Sequence, residues 1–177
     1  MNPHSLRKVV GLVVLLACGE DPSRYARGRG LEVAQLPASD RAAIYVAALG
    51  GSFDLDPGLS LLVDTTMLTR TGGERPGEPL GADVRAALRT TGVTKGECAP
   101  QRRAPTRTPV CRADIPGYVV RFSDVFALVG DSVQTHVLAE RYDTPSTGEH
   151  NRFIIEQAYQ LVRRDGSWHA VRKARID

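Results

Sequence analysis

His136 and Glu140 stand four positions apart in a stretch rich in β-branched residues. An extended strand turns both side chains to one face at that spacing. Asp124 precedes them, and Glu149-His150 follow in a polar segment. Imidazole and carboxylate groups in that combination can hold a metal ion or move a proton. Polar residues at every second position also mark the water-facing side of an antiparallel strand, and that is the stronger reading here. His136, Glu140 and His150 are therefore grouped as a polar cluster, with no metal and no catalytic role assigned. His169, beside Trp168, reads likewise as an exposed strand residue. The chain has no glycine-rich phosphate loop, His-Glu-x-x-His helix, paired-cysteine metal motif or Gly-x-Ser-x-Gly elbow. The sequence thus names no cofactor and no catalytic residue.

The clearest chemistry lies at the start of the chain. Arg7-Lys8 precede an uncharged run, Val9 to Ala17, and then Cys18. A basic head, a short apolar core and a small residue at the cut form an export signal. The run is too short for a permanent membrane span, which needs about 20 apolar residues as a helix. Leu15-Leu16-Ala17-Cys18 resembles the lipobox of bacterial lipoproteins, with Leu16 where the family more often has Ala, Ser or Thr. The resemblance implies cleavage after Ala17 and acylation of Cys18. Two or three acyl chains, at about 0.8 kcal/mol per buried methylene, hold a protein on its membrane essentially for good. Gly19 stands where the family's inner-membrane retention signal would place Asp, which points to an outer membrane facing the periplasm, or to the cell surface. Residues 1–17 are then a signal peptide, 18–36 a lipidated cysteine with a flexible tether, and 37–177 a single folded domain.

With Cys18 lipidated, Cys98 and Cys111 remain, and export to an oxidising compartment makes a disulfide their expected fate. The twelve residues between them include three prolines and three arginines, a composition that cannot pack as helix or strand. Closing such a loop stabilises a fold by about 3 kcal/mol in the chain-entropy model. A metal site there would need two further ligands close by.

Composition excludes some partners. The chain has 177 residues, 42% hydrophobic and 24% charged, with a net charge of +3. Without Arg7 and Lys8 the 23 basic residues become 21, against 20 acidic ones, a balance of +1. Nucleic-acid binders carry a clearly basic face, so nucleic acid is not an expected partner. The arginine runs at 102–107 and 172–175 read mainly as solvated charge, with contact to anionic lipid or polymer as the alternative.

The elements that must position these groups follow from periodicity and turn signals. Ser39 suits the N-cap of a helix from Asp40 to Leu49, stopped by Gly50-Gly51, with Ile44, Ala47 and Ala48 inward. Leu59 to Thr66 reads as a buried strand. Ala82 to Thr91 reads as a second helix using Val84, Ala87 and Leu88. Tyr118 to Val129, Ser132 to Tyr142, Arg152 to Arg164 and Ser167 to Ile176 read as four sequential strands. Gly130-Asp131 and Asp165-Gly166 are the hairpin turns. One face of the second strand should carry Val133, Thr135, Val137 and Ala139. This predicts an α+β domain with one or two helices packed on a curved antiparallel sheet ending in a four-strand meander.

The closing hairpin, Leu161 to Val171 with Asp165-Gly166-Ser167-Trp168 at its turn, resembles that of small NTF2-like and cystatin-like domains and of a set of bacterial lipoproteins. The early Ile44-Tyr45 helix and the Leu62-Val63-Asp64-Thr65-Thr66 strand share the likeness. The NTF2-like resemblance implies a pocket between helix and sheet, to which Tyr45, Tyr118, Tyr142 and Tyr159 would contribute. The expected function is that of a membrane-tethered, extracytoplasmic, non-enzymatic domain that binds a protein partner or small ligand. The alternatives are a small NTF2-like hydrolase or isomerase and a cystatin-like inhibitor that presents hairpin tips to a protease.

Overall fold

The computed structural model describes residues 30–50, 60–69, 77–98, 117–142 and 154–176. Among the described residues, the chain first meets the fold at Glu32 to Ala34. Ala34 N–H donates to the Val125 carbonyl (2.8 Å), and Ala127 N–H donates to that of Glu32 (2.9 Å).

Helix α1 then runs Ala38–Gly50. It starts two residues before the expected Asp40, immediately after Pro37, whose carbonyl accepts the Arg41 N–H at 3.0 Å. A proline fixed in φ ahead of a helix sets its entry. Its inner stripe is Ala42, Ile44, Tyr45, Ala48 and Leu49, so Tyr45 takes the inward place expected of Ala47. Helix α2 spans Ala82–Thr90 and buries Val84 and Leu88.

Among the described residues, seven strands follow the chain as β1 (Ser60–Asp64), β2 (Gly96–Cys98), β3 (Gly117–Phe122), β4 (Phe126–Ala127), β5 (Ser132–Tyr142), β6 (Ile154–Arg164) and β7 (Ser167–Ile176). Their order across the sheet is β2-β1-β3-β5-β6-β7, with β4 also pairing β5. β1 is parallel to both β2 and β3, and every other pairing is antiparallel. The molecule is therefore α+β, with two helices and a mostly antiparallel open sheet.

Two features depart from the expected elements. The long strand from Tyr118 to Val129 is broken at Ser123 to Val125, leaving β3 and the two-residue β4 side by side along β5. β2 is an addition at the far edge, three residues long and held by parallel pairing to β1.

The core lies on the helix-bearing face. Tyr118, Val120 and Phe122 of β3, Val133, Val137 and Ala139 of β5, and Tyr159 and Leu161 of β6 meet α1 and α2 there. The cross-strand pairs Val120↔Ala139, Phe122↔Val137, Thr135↔Tyr159 and Val133↔Leu161 put all of these on one side. The expected inward set Val133, Thr135, Val137 and Ala139 is the observed one. Trp168 packs against this core at the outer strands. Glu97 of β2 takes the guanidinium groups of Arg85 (2.7 Å) and Arg89, which pins α2 above the parallel edge.

The expected Asp165-Gly166 turn is present, whereas the expected two-residue Gly130-Asp131 turn is a longer loop, Val129 to Asp131, closed by the Leu128 N–H donating to the Ser132 carbonyl at 3.0 Å. Asp165 and Gly166 adopt φ +50° and +78°, the paired left-handed conformation that a two-residue turn requires. Gly130 adopts φ +71° between β4 and β5.

Candidate functional site

Register places Asp64 of β1, Val119 and Arg121 of β3, and Gln134, His136, Leu138 and Glu140 of β5 on the face away from the helices. A face of this composition should be wet, yet Asp64 is 1% exposed, Gln134 3%, His136 0% and Glu140 5%. His136 and Glu140 thus share a face, as their spacing predicts, and are buried where a solvated face was expected. At about 3.3 Å per residue they stand about 13 Å apart along β5, too far for direct contact. His150, Glu149, Cys18 and Cys111 lie outside the described residues.

Asp64 is satisfied at both carboxylate oxygens. It ends β1, and its Oδ1 accepts both the backbone N–H and the hydroxyl of Thr66, each at 2.7 Å. Aspartate commonly closes such a turn two residues on. Its Oδ2 accepts Nε (2.9 Å) and Nη2 of Arg121. A carboxylate removed from water keeps its charge when donors occupy both oxygens in this way.

His136 is held through its backbone and its ring. Its N–H donates to Ser123 Oγ at 2.9 Å, and its carbonyl accepts the Ser123 N–H at 2.9 Å. Ser123 thereby repairs the ladder where β3 and β4 part. Gln134 Nε2 lies 3.0 Å from His136 Nε2. Phe126 meets the imidazole edge-on, with centroids 6.4 Å apart at 84°.

Ser123 also connects the two faces. Its carbonyl accepts the Tyr45 hydroxyl of α1 at 2.9 Å, and Tyr45 stacks on Phe122 at 4.2 Å. Burial first, and the nearby Asp124 carboxylate second, push the Tyr45 hydroxyl well above the usual tyrosine range. Tyr45, Tyr118 and Tyr159 all belong to the core between helices and sheet, and the Tyr159 hydroxyl donates to Gln157 Oε1. The Tyr142 side chain lies outside the described residues.

Cys98 ends β2 on the face opposite Glu97 and packs on Leu62 and Val119. His169 is exposed on β7. Among the described residues no three His, Cys, Asp or Glu side chains converge as metal ligands would. Asp64, Arg121 and Ser123 are the residues that the sequence pattern did not single out. Asp64-x-Thr66 was the available signal, since Asp two residues before Thr closes a turn of its own.

The buried row offers fixed hydrogen-bonding groups, with the Asp64–Arg121 pair neutralised internally. No helix among the described residues is long and apolar enough to cross a membrane. Comparison with known proteins found no matching family model, no matching curated protein and no matching solved structure.

Proposed function

We propose that this chain is a membrane-tethered extracytoplasmic lipoprotein whose folded domain binds a protein partner or small ligand and catalyses no reaction. The observation that carries the proposal is the leader ending in Leu15-Leu16-Ala17-Cys18. Eleven residues lie between Cys18 and Gly30, and at about 3.5 Å per residue the span reaches about 40 Å. A domain so tethered stands clear of the headgroups yet stays near the surface. Binding suits the rigidity of the polar face, where Asp64 and Arg121 are committed to each other. The proposal includes a Cys98–Cys111 disulfide, supported by the burial of Cys98 on an edge strand of three residues. It also reads β3 to β7 as one curved four-strand meander, supported by the pairing of both β3 and β4 with β5.

Radiolabelled palmitate should label the wild-type protein and leave Cys18→Ala unlabelled and free of the membrane fraction. An unlabelled wild-type protein would end the proposal. Cys98→Ser should lower the melting temperature while leaving the protein on the membrane.

An NTF2-like enzyme is the second reading, favoured by the burial of His136 and Glu140 on one face. It predicts turnover of simple esters or of an isomerisable carbonyl compound that is lost in a folded His136→Gln variant.

A further inference from the structure

The outermost strand carries a charge pattern that the proposed function leaves unused. β7 pairs only with β6, so among the described residues its other side is an open sheet edge. The strand contains Arg172, Lys173 and Arg175 and no carboxylate. His169, Arg172 and Lys173 are exposed, and Val171 is an exposed apolar residue at 48%. His169 and Arg172 stand opposite Val162 and Gln160, on the face away from the helices. Lys173 stands opposite Tyr159, on the helix-bearing face. The cationic side chains therefore straddle the edge.

We infer that β7 is a docking edge for an extended, acidic polypeptide segment, which joins the sheet as a further strand. The outward N–H and C=O groups of an edge strand pair with any extended chain, and side-chain pairs then select among chains. The side chains of an added strand alternate between the two faces, so its carboxylates meet Arg172 on one face and Lys173 on the other. Opposite charges facing each other across strands stabilise the pairing. Val171 is the extra residue of a bulge, because Leu161 pairs Ala170 while Gln160 pairs Arg172. A bulge twists its strand and here leaves an apolar side chain at the edge for a partner's apolar residue to cover.

The same pattern disfavours two other occupants. A flat anionic membrane would engage one face alone, and α1 packs against the other side of β7. A second copy of this chain would set Arg172 and Lys173 against the same cations. The inference rests on the reading of this domain as a binding protein and names the chemistry of its partner.

The test uses the full-length chain in detergent micelles with fluorescent peptides in which Glu-Glu pairs alternate with Val-Val pairs, so that each face of the added strand carries carboxylates, or with the same peptides carrying Lys-Lys in place of Glu-Glu. The acidic peptide should bind and slow amide exchange in residues 168–176, and the basic one should not. Arg172→Glu, a change at an exposed position, should weaken binding about tenfold at low salt and less at high salt. N-methylation of every peptide residue should abolish binding, because it removes the donors on both edges of the added strand. Absent acidic-peptide binding, undiminished binding to Arg172→Glu, or protection of amides elsewhere would each overturn the inference. So would protection of β7 by anionic vesicles alone, or by self-association as protein concentration rises. Palmitate labelling reads the tether separately: a labelled protein that captures its partner through another surface keeps the proposed function and loses only this inference.

Discussion

Two buried polar contacts decide how much single residues contribute. Asp64 accepts four donated hydrogen bonds from Arg121 and Thr66. Asp64→Ala strips Arg121 of its counter-charge at 15% side-chain exposure and opens the turn after β1. The loss expected is about 3 kcal/mol in urea denaturation, because a lone buried charge is worse than none. An Asp64→Leu/Arg121→Met pair should recover most of it; a double variant as unstable as the single one would show that the turn, and not the charge, dominates. Tyr45 gives the pH-dependent case. Its folded-state pKa is raised, so its contribution is fully present below the ordinary tyrosine value of about 10 and fades as pH rises beyond it. Above that value the unfolded chain releases a proton that the folded chain retains, so stability falls. Tyr45→Phe should flatten the alkaline limb of the stability profile by one proton while costing about 1–2 kcal/mol at neutral pH, since the Ser123 carbonyl loses its donor. An unchanged alkaline slope in that variant would show that Tyr45 titrates normally.

The elements differ in how far local sequence specifies them. The Asp165-Gly166 turn, the bounds of β5 and β7, and the inward face of β5 follow from nearest neighbours and alternation, and the structure has them as read. β2 does not, because Gly-Glu-Cys has no periodicity of its own and becomes a strand only through its parallel register with β1. The break at Ser123 to Val125 is overshadowed by the apolar runs on either side of it, although Ser123-Asp124 is a polar, turn-favouring pair that could have signalled it. The polar row of β5 was readable as a row but not as buried, since alternation reports which residues share a face and not what covers that face. Glycine separates local from tertiary demands in the same way. Gly166→Ala meets open space and strains only a φ of +78°, a loss of about 1 kcal/mol. At Gly117 an added Cβ would lie 2.4 Å from the Ser60 carbonyl oxygen. Gly117→Ala should therefore be the more damaging change, with amide exchange quickening in β1 and β3. Equal melting temperatures for the two variants would contradict the close approach of those strands.

At the scale of the molecule, the first contact with the sheet among the described residues bears on how force enters it. Any pull at the N-terminus reaches Glu32 to Ala34 before it reaches α1, and those residues are bonded to β4 and its neighbour Val125. The load falls on a short backbone clip beside the middle of the sheet, so the helix is spared until the clip gives way. The clip is a mechanical fuse: under the proposed membrane tether, its release lengthens the leash by several residues and leaves the core between α1 and the sheet intact.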